Sequence, residues 1–306
     1  MEKLYDLVII GSGPAGLGAA IYARRAMLDA VTIEKGLASG GQILNTEQVD
    51  NYPGIPAVGG FDLGMKLREH ADSLGAAFAE DEVVRLELAG GVKRVVCREA
   101  VYETRTVIIA TGAHHRPLGV PGEERLVGAG VSYCATCDGA FFRNKVTAVV
   151  GGGDVAIGDA IFLSRMCKKV YVIHRRDELR GAKSLQEKLF GLPNVEMVWD
   201  SVVDEIRGDS RVEGLKISNK KTGETSELSV DGVFIAVGIM PEKDVYDGLL
   251  KTDAAGYIEA SEDGATSVKG VFAAGDVRTK QLRQVITAVS DGANCITSVE
   301  RYLAEQ

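Results

Sequence analysis

Apolar residues along this chain come in short, dense runs that break on glycine. Leu7-Val-Ile-Ile10 stops at Gly11 and Ala148-Val-Val150 stops at Gly151. Val233-Phe-Ile-Ala-Val237 and Val271-Phe-Ala-Ala274 run to a glycine in the same way, and Val107-Ile-Ile-Ala110 reaches Gly112 through Thr111. Short apolar runs bounded by turn residues read as strands buried on both faces. None approaches the roughly 20 residues of a membrane helix, so no membrane association is expected. The N-terminal Met-Glu-Lys-Leu-Tyr-Asp leads straight into the first run without an apolar leader. A secretory signal is therefore not expected, and the chain reads as cytoplasmic.

The pattern repeats. Residues 7–35 lie over residues 147–175 without a gap: LVIIGSGPAGLGAAIYARRAMLDAVTIEK against TAVVGGGDVAIGDAIFLSRMCKKVYVIHR. Gly11, Gly13 and Gly16 face Gly151, Gly153 and Ala156. A helix-length segment follows each turn, then a second apolar strand, Ala30–Ile33 facing Val170–Ile173. Strand, glycine turn, helix and strand within about 30 residues is the dinucleotide-binding βαβ unit. Its first glycine permits the tight turn, its second lets backbone approach a pyrophosphate, and its third position must be small for helix and strand to pack. Free N–H groups at the helix start face the phosphates. One such turn is a weak signal; two in register are a strong one.

The two copies end differently. Glu34 lies 34 − 11 = 23 positions after Gly11, where a carboxylate accepts hydrogen bonds from ribose hydroxyls. The second copy has His174, Arg175 and Arg176 there, with Arg180 further on. A cationic cluster suits a 2′-phosphate, so NADPH is expected at the second site and FAD at the first. Strands ending at Ala110-Thr111-Gly112 and at Gly238 would return the chain to a nucleotide or a domain junction. Gly275-Asp276 ends a further strand, and Asp276 is a candidate acceptor for a ribitol hydroxyl. Arg283, Gln284 and Val285 open a C-terminal helix whose start would face the flavin pyrimidine.

Composition narrows this picture. At 306 residues the chain has about twice the length of an ordinary domain, so two domains are expected. Glycine, at 37 residues, exceeds its usual ~7 % share, and the excess sits in the turns described. A net charge of −8 argues against nucleic acid as the partner. Five cysteines, an odd number with one close pair, do not form a secreted disulfide framework. Cys97, Cys167 and Cys295 read as buried small residues. Cys134-Ala-Thr-Cys137 suggests either redox chemistry or half of a zinc site, the latter needing two more ligands from four histidines or from carboxylates. With flavin and nicotinamide sites on one chain, the redox reading leads and no metal is expected. Asp138, adjacent, is placed to handle a proton.

Ser132-Tyr-Cys-Ala-Thr-Cys-Asp-Gly-Ala-Phe-Phe142 resembles the active-site signature of low-molecular-weight thioredoxin reductases. Gly11-Ser-Gly-Pro-Ala-Gly16, Gly40-Gly-Gln42, Asp50-Asn-Tyr-Pro-Gly54, Ala110-Thr-Gly112, His174-Arg-Arg-Asp177 and Gly275-Asp276 with Arg283-Gln284 match in order and spacing over the whole chain. The resemblance implies an α/β protein of two Rossmann-like domains. Its FAD domain would be discontinuous (1–115 and 245–306), and an inserted NADPH domain (116–244) would carry the cysteines. The domains would swing about linkers near His114–Gly122 and Gly238–Asp244, presenting the disulfide or NADPH in turn to the flavin. The resemblance makes Cys137 the flavin-facing sulfur, Cys134 the attacker of the thioredoxin disulfide, and Asp138 the acid–base group. It assigns to FAD the turn residues Gly11, Ser12, Gly13, Pro14, Ala15 and Gly16, then Glu34, Lys35, Gly41, Gln42, Asn51 and Val83. Ala110, Thr111, Gly112, Gly275, Asp276, Arg283, Gln284 and Val285 complete that set. Gly151, Gly152, Gly153, Asp154, Val155, His174, Arg175, Arg176 and Arg180 would hold NADPH. A homodimer is also implied.

The chain departs from the family pattern after its second glycine turn. Where the family reads Glu-Glu-Ala, this chain has Gly158-Asp159-Ala160, and Leu179-Arg180-Gly181 replaces Phe-Arg-Ala. The departure falls at the nicotinamide end of the site. It leaves ferredoxin, or oxygen in a dithiol oxidase, as alternative electron partners, although Arg175 and Arg176 argue for NADPH.

Overall fold

The computed structural model describes residues 3–46, 49 and 51–306, apart from the side chains of Asn45 and Cys137. It divides into two compact units, Met1–His114 with Met240–Gln306, and His115–Ile239. The first unit begins with β1 (Leu4–Ile10), α1 (Pro14–Arg25) and β2 (Ala30–Glu34). It continues through α2 (Gly60–Ser73), β3 (Ala77–Glu80), β4 (Val83–Glu87), β5 (Lys93–Cys97) and β6 (Val101–Ile109). The chain leaves it through β7 (Ala113–His115). The second unit holds β8 (Val131–Ser132), α3 (Ala135–Asp138), β9 (Val146–Gly151), α4 (Asp154–Ser164), β10 (Lys169–Ile173), α5 (Lys183–Phe190) and β11 (Val195–Val198). A meander of β12 (Ser201–Arg207), β13 (Gly214–Asn219) and β14 (Thr225–Leu228) precedes β15 (Gly232–Ala236). The chain returns through β16 (Ile239–Pro241), and the first unit closes with β17 (Val271–Ala273) and α6 (Val285–Ala304).

Both units are built around parallel strands, the α/β class that the glycine turns predict, though the sheet of the first unit is mixed. In the first, the order is β3-β2-β1-β6-β5-β4, with β17 also pairing with β6. Strand β6 is long enough to serve two partners. Its start pairs antiparallel with β5 and its end pairs parallel with β17, while β1 runs along it from Glu103 to Ile109. The second sheet, β11-β10-β9-β15-β8, is parallel throughout.

Alternation along the central strands feeds two cores. Leu7 and Ile9 pack with the helices α1, α2 and α6, while Val8 and Ile10 pack beneath Leu86, Val95 and Tyr246. Strand β9 divides in the same way, Val149 toward α4 and Ala148 with Val150 toward the β12–β14 meander. A parallel strand covered on both faces needs an unbroken apolar run, which is why these segments carry no polar alternation.

The helices begin where the sequence allows. Pro14 occupies the first turn of α1, where its missing N–H costs nothing, after Gly13 in extended conformation. Helix α6 starts with a reciprocal cap between Gln284 and Thr287. Helices α1 and α6 then touch backbone to backbone. A Cβ on Gly292 would lie 2.2 Å from the Ala15 carbonyl oxygen and 2.6 Å from the Ala19 nitrogen, and one on Gly18 would lie 2.8 Å from the Val289 oxygen.

That contact is testable. Ordinarily Gly→Ala inside a helix gains up to about 1 kcal/mol. At Gly292 the neighbours are main-chain atoms that cannot rotate away, so overpacking should dominate. Gly292→Ala is expected to lose about 1–3 kcal/mol in urea or thermal unfolding. Gly91→Ala, where a Cβ meets nothing within 4 Å, should stay within about 0.5 kcal/mol of the parent. Equal stability of the two variants would refute the close contact.

Candidate active site

In the first unit the strand–helix turn is closed by backbone. Gly11 has φ +99°, and a Cβ there would lie 2.6 Å from the Ala110 carbonyl oxygen; one on Gly16 would lie 1.8 Å from the Gly11 oxygen. Any side chain at Gly16 would push helix from strand. Gly41, at φ +59°, approaches Gly13, bringing two separately predicted glycines together. Ser12 is buried, and its backbone N–H and hydroxyl both donate to Glu34 Oε2 at 2.8 Å. Glu34 Oε1 accepts from the Gly36 N–H at 2.9 Å. Glu34 thus ties the turn to the end of β2, and Oε1, which accepts one hydrogen bond where Oε2 accepts two, keeps acceptor capacity for a ribose hydroxyl. Lys35 beside it is exposed.

Two further segments meet at the start of α6. Asn51 Nδ2 donates to Gln284 Oε1 at 2.7 Å. Asp50, in the same motif, lies outside the described residues. Thr111 Oγ1 donates to the Glu242 carbonyl at 3.0 Å, and the Gly112 carbonyl accepts from the Glu242 N–H. Gln42 is exposed at the start of the short Gly41–Asn45 helical turn. Val83 stands on the edge strand β4 and packs on the same apolar cluster as Ile33.

The Gly275-Asp276 loop is held by a residue that no motif marks. Asp291, on α6 and fully buried, accepts from the Gly275 N–H at 2.9 Å, from Arg278 through both oxygens at 2.8 and 2.7 Å, and from Lys280 at 2.8 Å. Burial alone would raise the Asp291 carboxyl, but the hydrogen bonds from Arg278 and Lys280 hold it below the usual range. Arg283 stacks on the Tyr257 ring at 4.0 Å and donates to the carbonyls of Asp276, Lys280 and Arg278. Asp276 Oδ1, by contrast, is buried without a hydrogen-bond partner. Burial pushes its carboxyl up, against the pull of Lys280 and Arg283. A buried acceptor left unmatched is costly unless a ligand satisfies it, and a ribitol hydroxyl would do so. The turn and this orphaned oxygen fit FAD.

In the second unit, a cavity of about 690 Å³ opens at the second glycine turn. It is lined by Gly151, Gly152, Gly153, Asp154 and Val155 and by His174, Arg175 and Arg180. Arg176 is exposed and is not in the lining. Gly152 must be glycine because the His174 ring sits 2.2 Å from where its Cβ would be. His174 is buried with Nε2 unpartnered, and burial lowers its pKa. Asp154 Oδ1 accepts from the Ala182 N–H at 2.7 Å, so this residue braces the turn. The glycine-floored cavity, its arginines and the orphaned imidazole nitrogen fit a phosphorylated dinucleotide. His115, Arg116 and Tyr133 also line it, though nothing in the pattern marked them.

The same unit carries the cysteine motif at the start of α3. Cys134 is disulfide-bonded, so its sulfur is not a thiolate ligand for zinc; the side chain of Cys137 lies outside the described residues. Cys97, Cys167 and Cys295 are free and buried. Burial pushes the Cys97 and Cys295 thiols up to about 12, which keeps them unreactive. The Ser132 hydroxyl lies 2.6 Å from Asp138 Oδ2 and 3.1 Å from the Cys134 nitrogen. Glu123, also buried, accepts from the N–H groups of Leu118, Gly119 and Val120 and from the Tyr133 hydroxyl at 2.8 Å. No motif marks Glu123 in the sequence; its burial distinguishes it.

Among the described residues no helix is long and apolar enough to cross a membrane. Known proteins share the whole chain. The thioredoxin reductase of Peptoclostridium acidaminophilum is 46% identical over 310 residues, covering 99% of this chain and 98% of that one. The Bacillus subtilis thioredoxin reductase is 44% identical over 305 residues, 99% of this chain and 96% of its own. The crystal structure of thioredoxin reductase from Streptococcus pyogenes superposes with a TM-score of 0.82 at 47% identity, covering both chains completely. The pyridine nucleotide-disulphide oxidoreductase family model matches residues 5–292. By that match and by these full-length relatives, the chain belongs to the pyridine nucleotide-disulphide oxidoreductase family.

Proposed function

We propose that this protein is an NADPH-dependent thioredoxin reductase, passing electrons through FAD and the Cys134–Cys137 pair to the disulfide of oxidised thioredoxin. The observation that carries the reading is a disulfide-bonded Cys134 beside Asp138, in a unit whose glycine-turn cavity is lined by Arg175 and Arg180. The unit Met1–His114 with Met240–Gln306 would be the FAD domain and His115–Ile239 the NADPH domain. A homodimer in the cytoplasm follows from the resemblance.

FAD, when bound, supplies two-electron exchange between a nicotinamide and a disulfide. The protein's part is binding, orientation and proton handling. The Gly11–Gly16 turn would receive the FAD pyrophosphate on main-chain N–H groups, and Glu34 would accept from the adenosine ribose. Asp276 Oδ1 would accept from the ribitol. Arg175 and Arg180 would take the NADPH 2′-phosphate through charge-assisted hydrogen bonds, with His174 Nε2 at the same edge of the cavity. Cys134 would attack the thioredoxin disulfide, Cys137 would resolve the mixed disulfide, and Asp138 would deliver and recover the proton. Thiol exchange with a thioredoxin near −270 mV is close to isoenergetic, so the NADPH supply sets the direction.

The donor is tested by anaerobic titration of the yellow protein with NADPH or NADH while following flavin bleaching. Rapid bleaching by NADPH and slow bleaching by NADH is expected; bleaching by neither would overturn NADPH as donor and turn attention to the Gly158 departure. Cys134→Ser should keep its flavin spectrum and lose thioredoxin reduction, and wild-type turnover would remove Cys134 from the attacking role. Arg175→Ala should lower kcat/KM for NADPH roughly 10- to 100-fold with little effect on NADH, the scale of a lost charge-assisted hydrogen bond. Arg176→Ala, outside the cavity lining, should cost less. An unchanged NADPH/NADH ratio in Arg175→Ala would refute the phosphate contact.

A further inference from the structure

Ser132 ends β8, the short strand registered on β15 through the Ser132–Phe234 pair, and is only 4% exposed. Its backbone is fixed by the sheet, and its side chain has no room to wander. The hydroxyl has one proton and three neighbours. Asp138 Oδ2 lies at 2.6 Å, the Cys134 carbonyl at 3.3 Å and the Cys134 nitrogen at 3.1 Å. The nitrogen is a donor, so the hydroxyl oxygen accepts there. The single proton goes to the nearer acceptor, the carboxylate, at a length typical of a charge-assisted O–H···O bond. One side chain thus joins the backbone of the disulfide-bonded cysteine to the carboxylate one turn away. The Asp138 N–H also donates to the Cys134 carbonyl at 3.1 Å, closing the ring.

We propose that Ser132 is the positioning residue of the redox centre, holding the Asp138 carboxyl in register with Cys134. This rests on the reading of Asp138 as the proton donor. In that step the reduced Cys134 thiol gives its proton to the Asp138 carboxylate, its thiolate attacks one sulfur of the thioredoxin disulfide and a new S–S bond forms. The thioredoxin S–S bond breaks, its electron pair goes to the second thioredoxin sulfur, and that sulfur takes the proton from the Asp138 carboxyl. The two electrons are those drawn from NADPH through the flavin. Asp138 is left as a carboxylate, and the Ser132 O–H is already aimed at it. Without the hydroxyl, the carboxyl is free to rotate away and the new charge loses its donor.

The test is steady-state thioredoxin reduction by the flavin-loaded enzyme, in water and in deuterium oxide. Ser132→Ala should lower kcat about 10-fold or more, within the range a positioned proton donor contributes, with the KM for NADPH and the flavin spectrum unchanged. Its solvent isotope effect should rise above that of the parent, because proton delivery becomes limiting. In an Asp138→Asn background the same substitution should cost nothing further. Ser132→Thr and Ser132→Val, equal in shape and differing in the hydroxyl, form a second comparison that holds if the alanine variant does not fold; threonine should be the faster. Wild-type kcat in Ser132→Ala, equal rates for threonine and valine, or losses that multiply with Asp138→Asn would overturn the proposal. An impaired Ser132→Ala beside a wild-type Asp138→Asn would overturn it through the Asp138 reading itself.

Discussion

Everything in this protein hangs on how closely main chain can approach main chain at the ends of parallel strands. The strand β1 must hand over to α1 within four residues, and the helix must then lie back on the sheet. That geometry leaves 1.8 Å between a notional Gly16 Cβ and the Gly11 oxygen, and 2.6 Å between a notional Gly11 Cβ and the Ala110 oxygen. Side chains are excluded there by sterics. The consequence is chemical: glycine at the closest contacts lets main-chain N–H groups face a ligand at the helix start, where phosphate is favoured. The second unit repeats the solution, with Gly151 at φ +154° against the Ala236 oxygen.

Once the turn is fixed, polar groups around it must find partners or wait for a ligand. Glu34 and Asp291 have found theirs. Asp291 is a buried carboxylate whose cost of burial is met by Arg278, Lys280 and the Gly275 N–H. Removing one member of such a group leaves an unpaired charge in low dielectric, so the group stands or falls together. Its product is a rigid loop that presents Asp276 at a defined place. Asp276 Oδ1 and His174 Nε2 are among the buried atoms left without a partner, and both lie where a nucleotide is expected.

The redox centre follows a related rule on a smaller scale. Helix α3 is too short to be stable alone. It is held by its join to β8, where Ser132 reaches both the Cys134 backbone and Asp138. A four-residue helix with a free end would not keep the Asp138 carboxylate and the Cys134 backbone in fixed relation.

The sequence by itself determined the class of fold, the two nucleotide turns and the position of the cysteine pair. These depend on local facts: a run of apolar residues, a glycine where no Cβ fits, a small residue four or five positions on. Such constraints act within about 30 residues and leave a readable pattern. It was tertiary structure that decided the rest. Asp291 and Glu123 look like any surface carboxylate in the chain, and only the packing of α6, and of the loop before β8, buries them among donors. Arg175 and Arg176 are neighbours in sequence and both are exposed, yet only Arg175 lines the cavity. Ser132 stood in the motif without a role until the strand brought its hydroxyl to Asp138. Burial and direction belong to the folded chain, and a pattern of residue types does not carry them.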